Sequence, residues 1–578
     1  MRRLHYLILN IIFFSSTLKE SLRFLAGLIN YRKVQNNKFR SLLCRNRHTA
    51  FLKEIANSYR GIPVNLPLTS WEDYEKYILR IFKNEQNVLT NETVLLLEPT
   101  SGTTSPVKYI PYTRSLQKEF NRGIRPWLAG IYLAWPKMFL CTQYWSLSPA
   151  IKPVSLSEPL NKEHEEGRQT RGSVVPSPAI PGFESLPAEQ EIPVGFEQDS
   201  QYLGCGRGKI LNKLMSVPAE VRNCGDHESW AYVTAFYLLR DRDLGLISVW
   251  HPSFIVILVE KIRHHFMSLV DDIDKGNISD PSGQFNAFIS RKPEPSGKRA
   301  GELRGLDIEN PGVFKLVWPR LQLISCWADN PEDPSLAELK NIFPGTPIQP
   351  KGIIATEGII SFPFGKITGI PAVCSHYLEF IDLKDGSLNT IDQLKKDKDY
   401  ETVITTGGGL YRYRMNDVIR VTGLFHNIPL FRFISKRDYF SDLRGEKISL
   451  NHAGEICKMV RKIFPGILFL MIAPVIKGNA AFYTCFVYLK DENDFPFGDM
   501  CRYIDENLKE NYNYRYAREI GQLDAPAIYL LKDDPVNDMI QYMESTGIKR
   551  GDIKLYCLNK LTVWPQYLKG EFIIINRQ

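Results

Sequence analysis

The run from Thr93 to Thr113, TVLLLEPTSGTTSPVKYIPYT, constrains the fold more than any other part of the chain. An apolar β-like segment enters a loop of small hydroxyl residues and returns toward a second strand, and SLQKEFNRGIRPWLAGIYLAW then follows with helical spacing. Strand, loop and helix in that order set an α/β rhythm. The central third repeats it, with the helix AYVTAFYLL, the strand LGLISVW, the helix around FIVILVEKIRHHF, and the strands LQLISCW and IIATEGIISFPF. The expected fold class is α/β: a large mixed sheet with covering helices, followed by a smaller α+β C-terminal domain.

At 578 residues, 44% of them hydrophobic and 24% charged, a single compact domain would be unusual. The expected division is 1–432 for the large N-terminal domain and 433–578 for the small one. Residues 161–193, rich in Pro, Glu, Gly and Ser, read as a mobile surface insertion in the first. PLTSWEDYEKYILRIF reads as a helix capped by Thr69 or Ser70, Thr402 to Ser449 as strands joined by tight turns, and MCRYIDENLKENYNYRYARE as one late helix.

The cysteines lie singly, without a CxxC pair or a His and Asp cluster to complete a metal site, which reads as reduced thiols in a cytoplasmic protein. The net charge of +8 is spread along the chain, which argues against a dedicated nucleic-acid binder and suits an enzyme that handles anions. Arg2 and Arg3 followed by LHYLILNIIFFSS imitate a secretory signal, but a small-residue cleavage site is missing. The apolar run is shorter than the ~20 residues of a membrane span, and Lys19 and Glu20 break it. An amphipathic helix docked on the body is the first reading, and a membrane-surface anchor making peripheral contact is the second.

Three stretches carry chemistry. In PTSGTTSPVKYIP, short hydroxyls and backbone N–H groups can wrap phosphate oxygens while Lys108 adds a mobile positive charge. Val107 and Tyr109 stand where a P-loop needs glycine and Ser or Thr, so this is not that motif, and a plain surface turn fits the stretch alone as well. In GIIATEGIISFPF, Thr356 and Glu357 offer oxygen ligands suited to a hard cation such as Mg2+, although, for this stretch taken alone, an edge-strand glutamate in solvent is the better reading. In TTGGGLYRYRMNDVIRV, a glycine-rich turn leads to Tyr413 and then to Asp417, an acid placed to accept from ribose hydroxyls or merely to end an exposed strand.

Taken in order, PTSGTTSPVKYIPYT, YWSLSP, LISVWHPSF, LISCWADNP, IIATEG, TTGGGLYRYRMNDVI and SKRDYFSDLRGEKIS resemble the auxin-responsive promoter family of acyl-acid amido synthetases, in its bacterial-type form, within the adenylate-forming superfamily. The likeness runs from about Leu43 to Leu555. It implies the adenylate-forming fold with a mobile C-terminal domain, and an ATP- and Mg2+-dependent ligase that adenylates a carboxylic acid and passes the acyl group to an amino acid. It further implies that Ser101, Gly102, Thr103, Thr104 and Lys108 hold the β- and γ-phosphates, that Glu357 ligates Mg2+ with Thr356 near the α-phosphate, that Asp417 binds the ribose, and that Tyr413 belongs to the ATP site. Arg437 and Lys554 match catalytic residues, with Lys560 a weaker competitor to Lys554. Asp438 and Tyr439 match the hinge, and Gly445 the turn after it.

Departures from the family pattern are Ser105 in place of a glycine, Ile353 in place of an adenine-stacking tyrosine, and Asn416 in place of the glycine before Asp417. Asn tolerates a positive φ, so the last change is mild. Segments expected near the acid are Trp145 to Ser148 and the helix carrying Trp230 and Phe236. The alternatives are a thiol acceptor such as coenzyme A in place of the amine, and a nucleotide-binding interaction protein without catalysis. The expected partners are an acid and an amino acid rather than nucleic acid, and the expected state is a monomer.

Overall fold

The computed structural model describes residues 2–58, 66–100, 108–146, 205–224, 226–281, 283, 285, 292–329, 334–437, 440–478, 480–546 and 553–573. The expected insertion at 161–193 and the loop residues Ser101, Gly102, Thr103, Thr104 and Ser105 fall outside these, as do Asp438 and Tyr439. The chain divides into two compact units, one over Met1–Ser101 and Val107–Ile434, the other over Ser435–Gln578.

The first unit opens with helices α1 (Arg2–Ile29), α2 (Tyr31–Asn46), α3 (Ala50–Ser58) and α4 (Glu75–Phe82). Helix α4 begins five residues after Ser70, because Thr69 is committed elsewhere. Its N–H donates to the Arg412 carbonyl at 3.0 Å, its carbonyl accepts from Arg414 N–H at 2.8 Å, and its hydroxyl donates to the Tyr411 carbonyl at 2.7 Å. The hairpin β1 (Leu96–Pro99) and β2 (Tyr109–Tyr112) leads into α5 (Arg114–Ala134), where the Thr113 side chain caps the helix by accepting from Leu116 N–H.

A wholly parallel sheet follows, in the order β3 (Thr142–Trp145), β4 (Leu244–Ser248), β5 (Leu323–Cys326), β6 (Ile348–Pro350). Its two central strands, β4 and β5, are buried along their whole length and mostly apolar, as strands covered on both faces are. Between β3 and β4 come α6 (Cys205–Leu214) and α7 (His227–Arg240), and α8 (Pro252–His264) follows β4. Trp230, Phe236, Phe254, Leu258 and Ile324 share one core there.

IIATEGIISFPF is not one strand. Only Ser361–Phe364 (β7) is extended, paired with β8 (Ile367–Pro371), and the preceding segment folds into a tight turn. A second sheet, in the order β10-β9-β11-β12-β13, comprises β9 (Tyr377–Asp382), β10 (Leu388–Asn389), β11 (Asp399–Thr405), β12 (Tyr413–Phe425) and β13 (Ile428–Lys436). The hairpin-rich reading of this region thus matches its strands.

The second unit carries a four-stranded sheet of β16 (Ile467–Lys477), β17 (Ala480–Leu489), β18 (Ala527–Leu531) and β19 (Gly570–Phe572), after the short pair β14 (Phe440–Ser441) and β15 (Ile448–Ser449). Helices Leu450–Ile463 and Phe497–Leu508 contribute Val460, Met500 and Ile504 to its core. The single late helix expected from MCRYIDENLKENYNYRYARE is two. Asn511 interrupts it, its side chain accepting from the N–H groups of Asn513 and Tyr514 to start a new helix at Tyr512.

Candidate active site

The first unit brings three of the chemistry-bearing stretches together around Tyr413. At the base of the hydroxyl-rich loop, Thr100 N–H donates to the Lys108 carbonyl at 2.8 Å, closing the β1–β2 hairpin below the loop. The half-buried Lys108 side chain extends to the Tyr413 hydroxyl, 3.4 Å from its Nζ, and lies 6.0 Å from the Trp71 ring centre.

In the second stretch, Ala355 N–H donates to the Gly358 carbonyl at 2.9 Å and Gly358 N–H returns the bond at 3.1 Å. Thr356 and Glu357 form the tip, both half-buried. Glycine is required at position 358, since a Cβ there would lie 2.5 Å from Ile404 Cδ1 and 2.9 Å from His376 Nε2.

In the third stretch, the β11–β12 register shifts between Glu401 and Val403, whose partners are Val418 and Arg414, so β12 bulges over Met415 to Asp417. Asn416 takes φ +60° within the bulge, the conformation its side chain tolerates. The bulge re-aims Asp417, which is buried at 3% exposure rather than standing at the end of a solvated strand. Burial first, then the negative charge of Glu357 and, behind Tyr74 and Glu72, that of Asp417, push the Tyr413 phenol well above its usual range. Lys108, Glu357 and Asp417, far apart in sequence, all act on one hydroxyl.

Beneath these loops lies a buried network that the sequence reading missed. Glu119 on α5 accepts from Lys38 Nζ at 2.8 Å and from Gly407 N–H, in the glycine-rich turn, at 2.8 Å. It also meets His376 Nδ1 at 3.0 Å. Burial alone would raise the Glu119 pKa, but the Lys38 ammonium and the His376 contact outweigh it and hold the carboxyl down to about 2. Burial keeps His376 below the usual imidazole range, so the neutral ring donates from Nδ1, while Nε2 faces Gly358 and finds no hydrogen-bond partner among the described residues. One carboxylate therefore ties α2 and α5 to the turn that precedes Tyr413, and through it holds the His376 ring that packs against Gly358.

A second missed feature lies at the carboxyl end of the parallel sheet, where α/β folds place ligands. Lys351, 4% exposed, donates to Ser248 Oγ at 2.6 Å. Its ammonium lies 4.7 Å from the Trp127 ring centre, 5.2 Å from Trp250 and 5.5 Å from Trp145. Trp145 is half-buried at this edge, Leu147 and Ser148 lie outside the described residues, and Trp230 and Phe236 are buried in the core. Ile353, 6% exposed, also packs into a core.

In the second unit, Arg437 is exposed just after β13 and Lys554 is half-buried. Gly445 takes φ +96°, which makes it the residue that lets the 442–446 turn close. The buried Glu446 accepts there from the N–H groups of Leu443 and Arg444, each at 2.7 Å.

Residues 23–144 and 186–348 match the GH3 family N-terminal domain, and residues 369–436 match the GH3 family central domain. The chain belongs to the GH3 family. It is 22% identical over 576 residues to the 4-substituted benzoates-glutamate ligase GH3.12 of Arabidopsis thaliana, covering 91% of this chain and 92% of the relative. It is 22% identical over 448 residues to the indole-3-acetic acid-amido synthetase GH3.15 of the same plant, covering 71% and 68%. The probable indole-3-acetic acid-amido synthetase GH3.11 of Oryza sativa subsp. japonica is 23% identical, with 89% of each chain covered. These relatives are plant proteins and give the bacterial-type likeness no support. The solved structure of AtGH3.15 acyl acid amido synthetase in complex with 2,4-DB superposes with a TM-score of 0.72 at 17% identity, over 96% of this chain and 97% of that one. The α/β class expected from the sequence is the fold this chain shares with it.

Proposed function

We propose that this protein is an ATP-dependent acyl-acid amido synthetase. A carboxylate oxygen of the acid attacks the α-phosphorus of ATP, the bond to the β-phosphate breaks and pyrophosphate leaves. The amine of an amino acid then attacks the acyl carbon, AMP departs with the electrons of the C–O bond, and the amine loses a proton. Activation is needed because a carboxylate is a poor electrophile and AMP a far better leaving group than oxide.

The observation that carries the reading is the convergence on Tyr413, where a lysine from the hydroxyl-rich loop, an acid from the Thr-Glu turn and an acid from the β12 bulge meet. Lys108, with Ser101, Gly102, Thr103 and Thr104, is assigned to the β- and γ-phosphates, Thr356 to the α-phosphate, Asp417 to the ribose, and Tyr413 to the ATP site. Glu357 fits Mg2+: it is a half-buried carboxylate beside a hydroxyl, the hard oxygen donors that ion prefers. When bound, the ion supplies neutralisation of phosphate charge. Arg437 and Lys554 are assigned catalytic roles from a C-terminal domain of residues 433–578, with Asp438 and Tyr439 as its hinge. The reading also includes a monomer in the cytoplasm with peripheral membrane contact. The bacterial-type likeness rests on the sequence motifs alone.

The deciding assay is acid-dependent exchange of labelled pyrophosphate into ATP across a panel of carboxylic acids, followed by discharge with amino acids or coenzyme A. Exchange with at least one acid and release of AMP by an amine support the synthetase. Discharge only by the thiol transfers the reading to an acyl-thioester ligase. No exchange with any acid, with no ATP binding by calorimetry, overturns it.

A further inference from the structure

Helix α1 is apolar on two faces. The inner face is docked, with Phe13, Phe24 and Leu28 buried and Asn10 Nδ2 donating to the carbonyls of Phe139 at 3.1 Å and Cys141 at 3.0 Å. A docked surface helix ordinarily turns polar side chains outward. Here Leu4, Ile8, Ile11, Leu18, Leu22 and Ile29 are exposed instead, from 38% at Leu18 to 81% at Ile29. At helical spacing these six fall within an arc of about 80° and run roughly 38 Å along the helix. Apolar stripes of that extent mark contact surfaces. Residues 2–22 of the helix also precede the residues that match the family's N-terminal domain.

A cavity of about 980 Å³ adjoins the C-terminal half of α1, walled by α1, α2 and α5. Five cations line it, Arg23, Lys38, Arg45, Lys118 and Arg122, against the two carboxylates Glu92 and Glu119, and since Arg23 pairs with Glu20 at 2.6 Å the excess left is two positive charges. Glu119 engages Lys38 and Glu92 engages Arg45, while Lys118 and Arg122 form no ion pair among the described residues. The same wall is apolar at Ala26, Gly27 and Leu42.

We infer that α1 and this cavity dock the protein on an anionic lipid surface, with the outer stripe lying in the headgroup and acyl boundary and lipid phosphate meeting Lys118 and Arg122. No helix among the described residues is long and apolar enough to cross a membrane, so the helix lies in the plane. A second copy of the chain would bring its own excess of cations to the contact and be repelled. A bilayer carrying acidic headgroups supplies the opposite charge together with an apolar layer. The inference deepens the peripheral membrane contact named above and is independent of the ligase chemistry, since none of these residues is assigned to nucleotide or acid.

The test is co-sedimentation of the full chain with vesicles of phosphatidylcholine alone and of phosphatidylcholine mixed with phosphatidylserine. Binding is expected only to the mixed vesicles, weakening as salt rises. Leu18→Glu with Leu22→Glu should abolish it. Lys118→Ala and Arg122→Ala should each weaken it about fivefold. Circular dichroism and thermal melting check the glutamate pair, and if it unfolds, the two alanine variants decide. Equal binding by wild type and variants, or no binding to mixed vesicles, overturns the inference. So does a concentration-dependent dimer, by light scattering, that the glutamate pair dissolves.

Discussion

The Lys108 ammonium lies 3.4 Å from the Tyr413 phenol oxygen, joining the two ends of a 305-residue separation in one contact. The lysine side chain is half-buried and its backbone already closes the β1–β2 hairpin, so removing the amine leaves the fold standing. Lys108→Ala is expected to slow acid-dependent pyrophosphate exchange roughly 100- to 1000-fold, the scale of losing one preorganised charge at a reacting phosphate. Its melting temperature should stay within a few degrees of wild type. Unchanged exchange with a folded variant would remove Lys108 from the phosphate site.

Glu357 stands at the tip of a turn whose two backbone hydrogen bonds, Ala355 to Gly358 and back, do not involve its side chain. Glu357→Gln keeps the shape and removes the charge. The expected outcome is a higher Mg2+ requirement for exchange, with activity partly regained at high Mg2+, read from Mg2+ titrations of the exchange rate.

The stretches around Lys108, Glu357 and Asp417 were legible because each is polar and small-residue-rich between apolar runs, a local pattern. Their meeting at Tyr413 was not, since it depends on β12 bulging at Asn416 and on Thr69 bridging Arg412 and Arg414, pairings between distant segments. Glu119, Lys38 and His376 were invisible for the same reason: the first two fit the polar sides of helices and His376 lies in a bend before β9, and only packing makes them neighbours. Lys351, between Pro350 and Gly352, belongs to none of the three polar stretches that stood out in the sequence. The α4 start and the break at Asn511 were missed because side-chain and backbone pairing overrode helical periodicity there.

The Glu119–His376 pair predicts a two-stage acid response. Burial holds His376 below its ordinary 6.5, so the unfolded chain binds the extra proton first, and stability falls as pH drops below about 6.5. Glu119, held down to about 2 from an ordinary 4.5, contributes stability that is complete above about 4.5 and is lost as pH falls toward 2. Each stage has a limiting slope of about 1.4 kcal/mol per pH unit per proton. His376→Gln should remove the first stage and keep the second, as measured by urea unfolding across pH. Persistence of the upper stage in that variant would assign it to another group.

Lys351 places a positive charge among the rings of Trp127, Trp145 and Trp250 at the carboxyl edge of the parallel sheet, six positions before Glu357 on the same segment. Extended backbone from Lys351 to the Thr356 tip spans at most roughly 16 Å, so an acid whose carboxylate sits at the tip can direct its far end toward the ammonium. Acids with a second anionic or hydroxyl group at that end should be preferred over their unsubstituted parents. Lys351→Met should lower kcat/KM for terephthalate relative to benzoate by roughly ten- to a hundredfold, the scale of one charge-assisted hydrogen bond. Tryptophan emission gives a second readout, because terephthalate should perturb it in wild type and not in the variant. An unchanged ratio in an enzyme that still exchanges pyrophosphate would assign acid selection to other side chains.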